Sequence, residues 1–160
     1  MGRSEESEDR TDEELEAELQ KLLDSIEEDE VANLIIADMS TFELAKKFIA
    51  SQRYQMLDED SSDGHIAFRF QMNTIHFWGN SEDEHFFFMT LPNFTDVTEE
   101  NIAQVKENCH QINKEAKLVK LYVLNDVILA AAEVYYLAED DFKFQMLNAL
   151  KHLVAAKVMY

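Results

Sequence analysis

The chain has 160 residues, of which 46% are hydrophobic, and a formal net charge of −19. This length and apolar content predict one packed domain. Residues 1–33 hold 14 acids and 3 bases, a balance of −11, so residues 34–160 are only moderately acidic at −8. Because no cluster of Lys and Arg could release counterions from phosphates, nucleic acid and anionic membrane are disfavoured as partners.

Cysteine content and hydropathy indicate the cellular compartment of the protein. Its single cysteine, Cys109, cannot form an internal disulfide, and no Cys and His spacing suggests zinc. No apolar run is long enough to span a bilayer, and residues 1–18 lack the basic and apolar regions of a secretory signal. We therefore expect a cytoplasmic protein with no metal and no cofactor.

Residues 1–33 are predicted to form an acidic tail that contains one amphipathic helix. Thr11 and Glu14 have the spacing of a capping box, which predicts a helix over residues 12–28. An isolated helix of this length is marginal, so we expect a docking arm that packs on its own domain, a second copy or a partner. Its apolar stripe recurs at steps of four, three and four: Leu15, Leu19, Leu22 and Ile26.

Residues 34–160 are predicted to form a single α+β domain. Ser40 and Glu43 form a second capping box and open a helix that extends to residue 51. Short apolar runs then predict strands at residues 54–58, 66–70, 75–78 and 86–91. A turn at Met72 and Asn73 would place Phe68 opposite Phe77, and Arg69 opposite His76.

The last third reads as a helix, a hairpin and a second helix. A helix over residues 98–117 carries an apolar stripe at helical spacing: Ile102, Val105, Cys109, Ile112 and Ala116. Strands over residues 118–124 and 127–136 are joined by Asn125 and Asp126, which suit a two-residue hairpin. A helix over 140–158 closes the chain. This order predicts an antiparallel sheet of five or six strands packed by helices.

Several polar groups invite a chemical interpretation. His65, His76 and His85 lie on successive predicted strands, but the expected pairing spreads them along the sheet, so they are interpreted as ordinary polar-face residues. Cys109 and His110 diverge on a helix, which makes a nucleophile pair improbable. Only Glu133 interrupts an apolar strand, and its environment could raise its pKa, although a solvated outer position is favoured.

A resemblance carries the functional expectation. Residues 109–113 and 116–126, a helix end followed by a Tyr-centred strand and an acidic turn, resemble the YbjN family of proposed bacterial sensory transduction regulators. The resemblance covers residues 41–158. Asn113 matches the second of two Asn residues that the family often has there, and His110 departs from the first. The family shares its fold with class I chaperones of type III secretion.

The resemblance implies a compact sheet in the order α-β-β-β-α-β-β-α, here with an extra acidic N-terminal helix. It also implies a homodimer that binds other proteins and does no chemistry. No catalytic, cofactor or metal residue is expected. The residues predicted for the partner or dimer interface are Ile102, Val105, Cys109, Ile112, Trp78, Phe86, Phe88 and Tyr122.

An aromatic surface supports this expectation and leaves alternatives open. Trp78, Phe86, Phe88, Tyr122 and Tyr136 are predicted to share the sheet face opposite Phe68, Phe70 and Phe77. That face is either a second core layer under helices or a patch for another chain. The competing function is a small-molecule-binding domain or cryptic enzyme, with a pocket near Glu133, Trp78 and His76.

Overall fold

The computed structural model describes residues 39–79 and 84–160, together with the helical residues 16–17 and 20–21. The chain divides into two units, Met1–Asp38 and Met39–Tyr160. The predicted docking residues Leu15, Leu19, Leu22 and Ile26 lie outside the described residues. The domain boundary predicted after residue 33 and the arm itself therefore stay predictions.

The described part of residues 39–160 is an α+β fold, as predicted. In chain order its elements are α1 (Thr41–Ser51), β1 (Met56–Asp60), β2 (His65–Phe70), β3 (Asn73–Trp78), β4 (Phe86–Asp96), α2 (Ile102–Glu115), β5 (Val119–Leu124), β6 (Val127–Tyr135) and α3 (Glu139–Met159). The strands pair antiparallel in the order β1-β2-β3-β4-β6-β5. Four strands precede α2, one more than the order that the resemblance implies.

Local sequence signals account for where the helices begin. The Ser40 hydroxyl accepts a hydrogen bond from the Glu43 N–H at 3.2 Å, so Ser40 is the N-cap of α1, which is the first half of the predicted capping box. Helix α2 begins at Ile102, four residues later than predicted. There the Asn101 side chain bonds the Thr98 N–H at 2.8 Å and the Asp96 carbonyl at 2.9 Å, which holds the preceding residues in a turn.

Two tight hairpins fix the strand registers. Asn125 and Asp126 have φ angles of 49° and 62°, so the predicted two-residue turn between β5 and β6 is confirmed. Between β2 and β3 the turn residues are Gln71 and Met72, with φ angles of 47° and 65°. The predicted register is therefore wrong by two residues, and Phe68 lies opposite Ile75, not Phe77. The shift is even, so every side chain keeps its predicted face.

All three described helices pack on one face of the sheet, which we call the inner face. Alternate strand residues such as Phe68, Phe77, Phe87 and Ile128 are fully buried there. They join one apolar cluster with the buried helix positions, among them Phe48 of α1, Val105, Cys109 and Ile112 of α2, and Phe142, Met146 and Leu150 of α3. The predicted stripe of α2 is thus part of the core.

One side chain ties the end of α2 to the edge strand β5. Oδ1 of Asn113 accepts from the Leu121 N–H at 2.7 Å, and its Nδ2 donates to the Leu121 carbonyl at 3.0 Å. Because both backbone groups of Leu121 bond this amide, they point away from β6. Lys120 adds hydrogen bonds from its ammonium to the carbonyls of Asn113 and Ala116, at 2.9 and 2.6 Å.

We expect Asn113→Ala to lower the free energy of unfolding by about 2 kcal/mol, because both backbone groups of Leu121 lose their partner. Urea denaturation followed by circular dichroism measures the change. Gln111→Ala on the exposed side of the same helix is the matched control, and we expect it to change the value by less than about 0.5 kcal/mol. Equal effects of the two variants would show that the Asn113 amide does not brace the strand.

Candidate functional site

The second face of the sheet, the outer face, carries the candidate site. Strand alternation places His65, His76, Trp78, Phe88 and Glu133 there. None of these residues belongs to the apolar cluster that holds the buried residues of the three described helices. Within the described part of the chain, the helices therefore pack on the inner face alone.

Four rings form a continuous row on the outer face, which we call the aromatic ridge: His65, His76, Trp78 and Phe88. The centroids of His65 and Trp78 are 4.9 Å apart, and those of Trp78 and Phe88 are 5.5 Å apart. The rings of His76 and Trp78 stack at 5.8 Å. The register explains the row, because His65 lies opposite Trp78 and Trp78 opposite Phe88.

More apolar surface extends from the ridge. Phe86 and Tyr135 pair across β4 and β6 with centroids 4.9 Å apart, and Tyr135 is 71% exposed. On β5, Tyr122 and Leu124 are 51% and 53% exposed. Between the larger side chains lie the small buried residues Ala67, Thr90 and Ala131. The outer face is thus broad, mostly apolar and shallow.

The two imidazoles of the ridge are hydrogen bonded to each other. Nε2 of His65 lies 3.0 Å from Nδ1 of His76. This corrects the expected separation of the strand histidines: His76 lies opposite Ala67, not Arg69, because of the register shift. Burial, with a smaller contribution from the charge of His65, lowers the pKa of His76 below its usual range. Both causes favour the neutral form of the His76 imidazole.

The third strand histidine lies apart from this pair. The ring of His85 packs on Tyr136, with centroids 5.1 Å apart. Among the described residues, no group of three His, Cys, Asp or Glu side chains is placed to hold a metal ion.

The predicted interface residues separate into two groups. Trp78, Phe86, Phe88 and Tyr122 lie on the outer face, the first three half-buried. The four α2 residues lie on the other side of the sheet: Val105, Cys109 and Ile112 are buried in the core, and Ile102 packs against it. Burial raises the pKa of the Cys109 thiol, so it behaves as a small apolar side chain.

Two further predictions concern strand β6. Tyr136, expected on the outer face, is 5% exposed, and its hydroxyl lies 2.7 Å from that of Thr41 on α1. Alternation places Tyr135 on the outer face instead, so that prediction was wrong by one residue. Glu133 is exposed on the outer face opposite Phe88, which is the solvated position that the sequence favoured.

Both edges of the sheet carry groups that disfavour strand addition. At one edge, all five residues of β1 are exposed, and Asp58, Glu59 and Asp60 are among them, with a bulge after Met56. At the other edge, the Asn113 amide occupies the outward backbone groups of Leu121. Charged side chains, bulges and covered edges are the devices that prevent edge pairing in natural sheets.

Comparison with known proteins identifies the class of fold. No family model matches the sequence, and no curated protein matches it. Solved structures do match, and they show that the chain has a YbjN-like, chaperone-like fold. In the described part of the chain, no helix is long and apolar enough to cross a membrane.

Two solved structures illustrate the similarity. The chain is similar to YbjN from E. coli, described as a proposed transcription regulator, with a TM-score of 0.55 and 6% identity over 74% of this chain and 92% of that one. It is also similar to the Yersinia pestis type III secretion chaperone SycH in complex with a stable fragment of YscM2. That match has a TM-score of 0.51 and 14% identity over 74% of this chain and 98% of SycH.

The two phenylalanines at the start of β4 allow a direct test of the two faces. We expect Phe87→Ala, which empties a fully buried inner position, to lower the free energy of unfolding by about 3–5 kcal/mol. Phe88→Ala on the outer face should lower it by about 1 kcal/mol, because its ring is only half-buried. Urea denaturation measures both values. A loss for Phe88→Ala as large as that for Phe87→Ala would identify the outer face as a second core layer.

Proposed function

We propose that the chain is a non-enzymatic, cytoplasmic module that binds a partner polypeptide on the outer face of its sheet. The aromatic ridge is the observation that carries this proposal: the rings of Trp78 and Phe88 pack against each other on a sheet face that no described helix covers. Extended apolar surface of this kind usually marks an interaction site. SycH, which shares the fold, is seen with a fragment of a second protein.

The edges favour docking on the face over strand addition. A partner strand that pairs with β5 would have to displace the Asn113 amide from the backbone groups of Leu121. A strand that pairs with β1 would meet Asp58, Glu59 and Asp60 on an irregular edge. The outer face presents neither obstacle, so side-chain contacts with the ridge are the favoured mode of binding.

The resemblance also leads us to propose a homodimer. Three of the four α2 residues predicted for the contact are buried in the core of one chain. A dimer contact through α2 would therefore use its exposed flank, which includes Gln104, Lys106 and His110. This arrangement leaves the outer face available to a different polypeptide.

A labelled model peptide tests the binding surface. The probe is an amphipathic helix with a leucine stripe and uncharged Gln residues elsewhere, and its fluorescence anisotropy is measured against the purified full chain. We expect Phe88→Ala to weaken binding by about tenfold, because a buried phenylalanine side chain contributes about 2 kcal/mol. Phe144→Ala is the matched control: it removes an equally large ring, 62% exposed on α3, and should leave binding unchanged.

Two results would contradict the proposal. The first is no detectable binding of the peptide to the unchanged chain. The second is equal weakening by Phe88→Ala and Phe144→Ala, which would indicate general stickiness in place of a defined surface.

The acidic arm remains a proposal drawn from its sequence pattern. We propose that the leucine stripe of residues 12–28 covers apolar surface and is easily displaced. Deletion of residues 1–30 should then raise the fluorescence of Nile red, an uncharged apolar dye, or change the mass measured by light scattering. A truncated chain with the same dye fluorescence and the same mass as the full chain would rule out this covering role.

A further inference from the structure

On the outer face, the acidic and basic side chains differ in whether they form hydrogen bonds within the chain. Asp58 and Glu133 are exposed there, and neither forms a hydrogen bond or ion pair with any group in the described part of the chain. The cations of the same face are engaged. Arg69 donates to the Met72 carbonyl at 3.2 Å, and Lys120 donates to two carbonyls at the end of α2. Arg69 and Lys120 keep their charge, but these bonds hold each of them on neutral carbonyls, whereas Asp58 and Glu133 have no bonded partner among the described residues.

One of these carboxylates lies directly beside the aromatic ridge. Glu133 is opposite Phe88 in the register of β4 and β6, and the ring of Phe88 is 5.5 Å from that of Trp78. A guanidinium or ammonium group attracts both aromatic faces and carboxylates. Arginine can make both contacts at once, because the plane of its guanidinium group stacks on a ring while the N–H groups at its edge donate to a carboxylate.

We propose that the outer face binds a basic amphipathic segment of another protein, whose Arg or Lys lies over Phe88 and pairs with Glu133. This inference rests on the proposed function and adds the charge of the partner. The charge of the chain weakens the other candidate occupants. Residues 34–160 carry −8 and residues 1–33 carry −11. A second copy would therefore bring like charge to this face, and the acidic arm would for the same reason be a weak cover that a basic segment displaces.

The test compares two peptides on the full chain. The first is the leucine and glutamine helix already described, and the second has Arg in place of the Gln residues that flank the stripe. We expect the Arg peptide to bind about tenfold more tightly at about 50 mM salt, with most of this advantage lost at about 500 mM. Anisotropy titrations give both dissociation constants.

A charge-matched pair of variants locates the effect. Glu133→Gln should reduce the advantage of the Arg peptide by about fivefold, because it removes the partner of the cation and keeps the shape of the side chain. Glu100→Gln, an exposed position in the turn before α2, changes the net charge by the same amount and should leave the advantage intact. Circular dichroism confirms that both variants are folded.

The outcomes separate the two proposals. If the Arg and Gln peptides bind equally, or if Glu100→Gln acts as strongly as Glu133→Gln, the basic partner is overturned, and the effect of Phe88→Ala on the Gln peptide still decides the proposed function. If a Glu-bearing peptide binds best, the occupant is acidic, as the chain's own N-terminal segment is. If Phe88→Ala halves the mass measured by light scattering, the occupant is a second copy. Each of these results overturns the inference.

Discussion

The structure depends on the antiparallel pairing of β4 with β6 at the centre of the sheet. From Phe86 to Pro92 each residue of β4 has a partner on β6, so successive side chains point to opposite faces. Phe87 is fully buried under the helices, while its neighbour Phe88 takes part in the ridge. The same strand therefore supplies the core and the candidate binding surface, and neither face can change register without the other.

A sheet that helices cover on one face only leaves two kinds of surface exposed, its edges and its second face. Its free edges attract other strands, and its open face attracts apolar groups. Here specific groups disfavour pairing at each edge: the charges of β1 at one side, and at the other the Asn113 amide, which occupies the backbone groups of Leu121. The Asn113 amide imitates a neighbouring peptide group, since it offers one acceptor and one donor to the same residue. Because strand addition is disfavoured at the edges, the outer face is the surface that we assign to the proposed contact.

Most of the fold was predictable because its signals are local. The Ser40 cap, the Asn125 and Asp126 turn and the apolar period of α2 each lie within a few residues. The register of β2 and β3 was not predictable, because the turn between them is formed by Gln71 and Met72, which are unusual residues for positive φ. Gly64 and Gly79 were the signal in the sequence that could have fixed this register. The Gly79 N–H bonds the Gly64 carbonyl at 2.9 Å, and a Cβ on Gly64 would collide with the Gly79 backbone, so the two positions face each other.

The site was predictable in its residue types and less so in its geometry. Trp78, Phe86, Phe88 and Tyr122 were assigned to one face by alternation alone, and the register shift of two residues could not move them from it. The same shift concealed the His65 and His76 contact, because a diagonal neighbour depends on the register and not only on its parity. The contact of Asn113 with the backbone of Leu121 could not be predicted from the sequence, because a single side-chain contact across a loop produces no repeating pattern of residues.

Ridge and charge would have different roles in the proposed complex. The net charge of −19 acts at long range and favours encounter with any basic protein, but salt screens it within about 8–10 Å. Selectivity has to come from groups in contact, and among the described residues it is Glu133 that combines a free carboxylate with adjacent ring faces at the ridge. Apolar contacts with Trp78 and Phe88 would hold the segment, because the burial of apolar surface does not depend on charge. In the proposed complex the ridge would therefore set how strongly a segment binds, and Glu133 would set which segment binds.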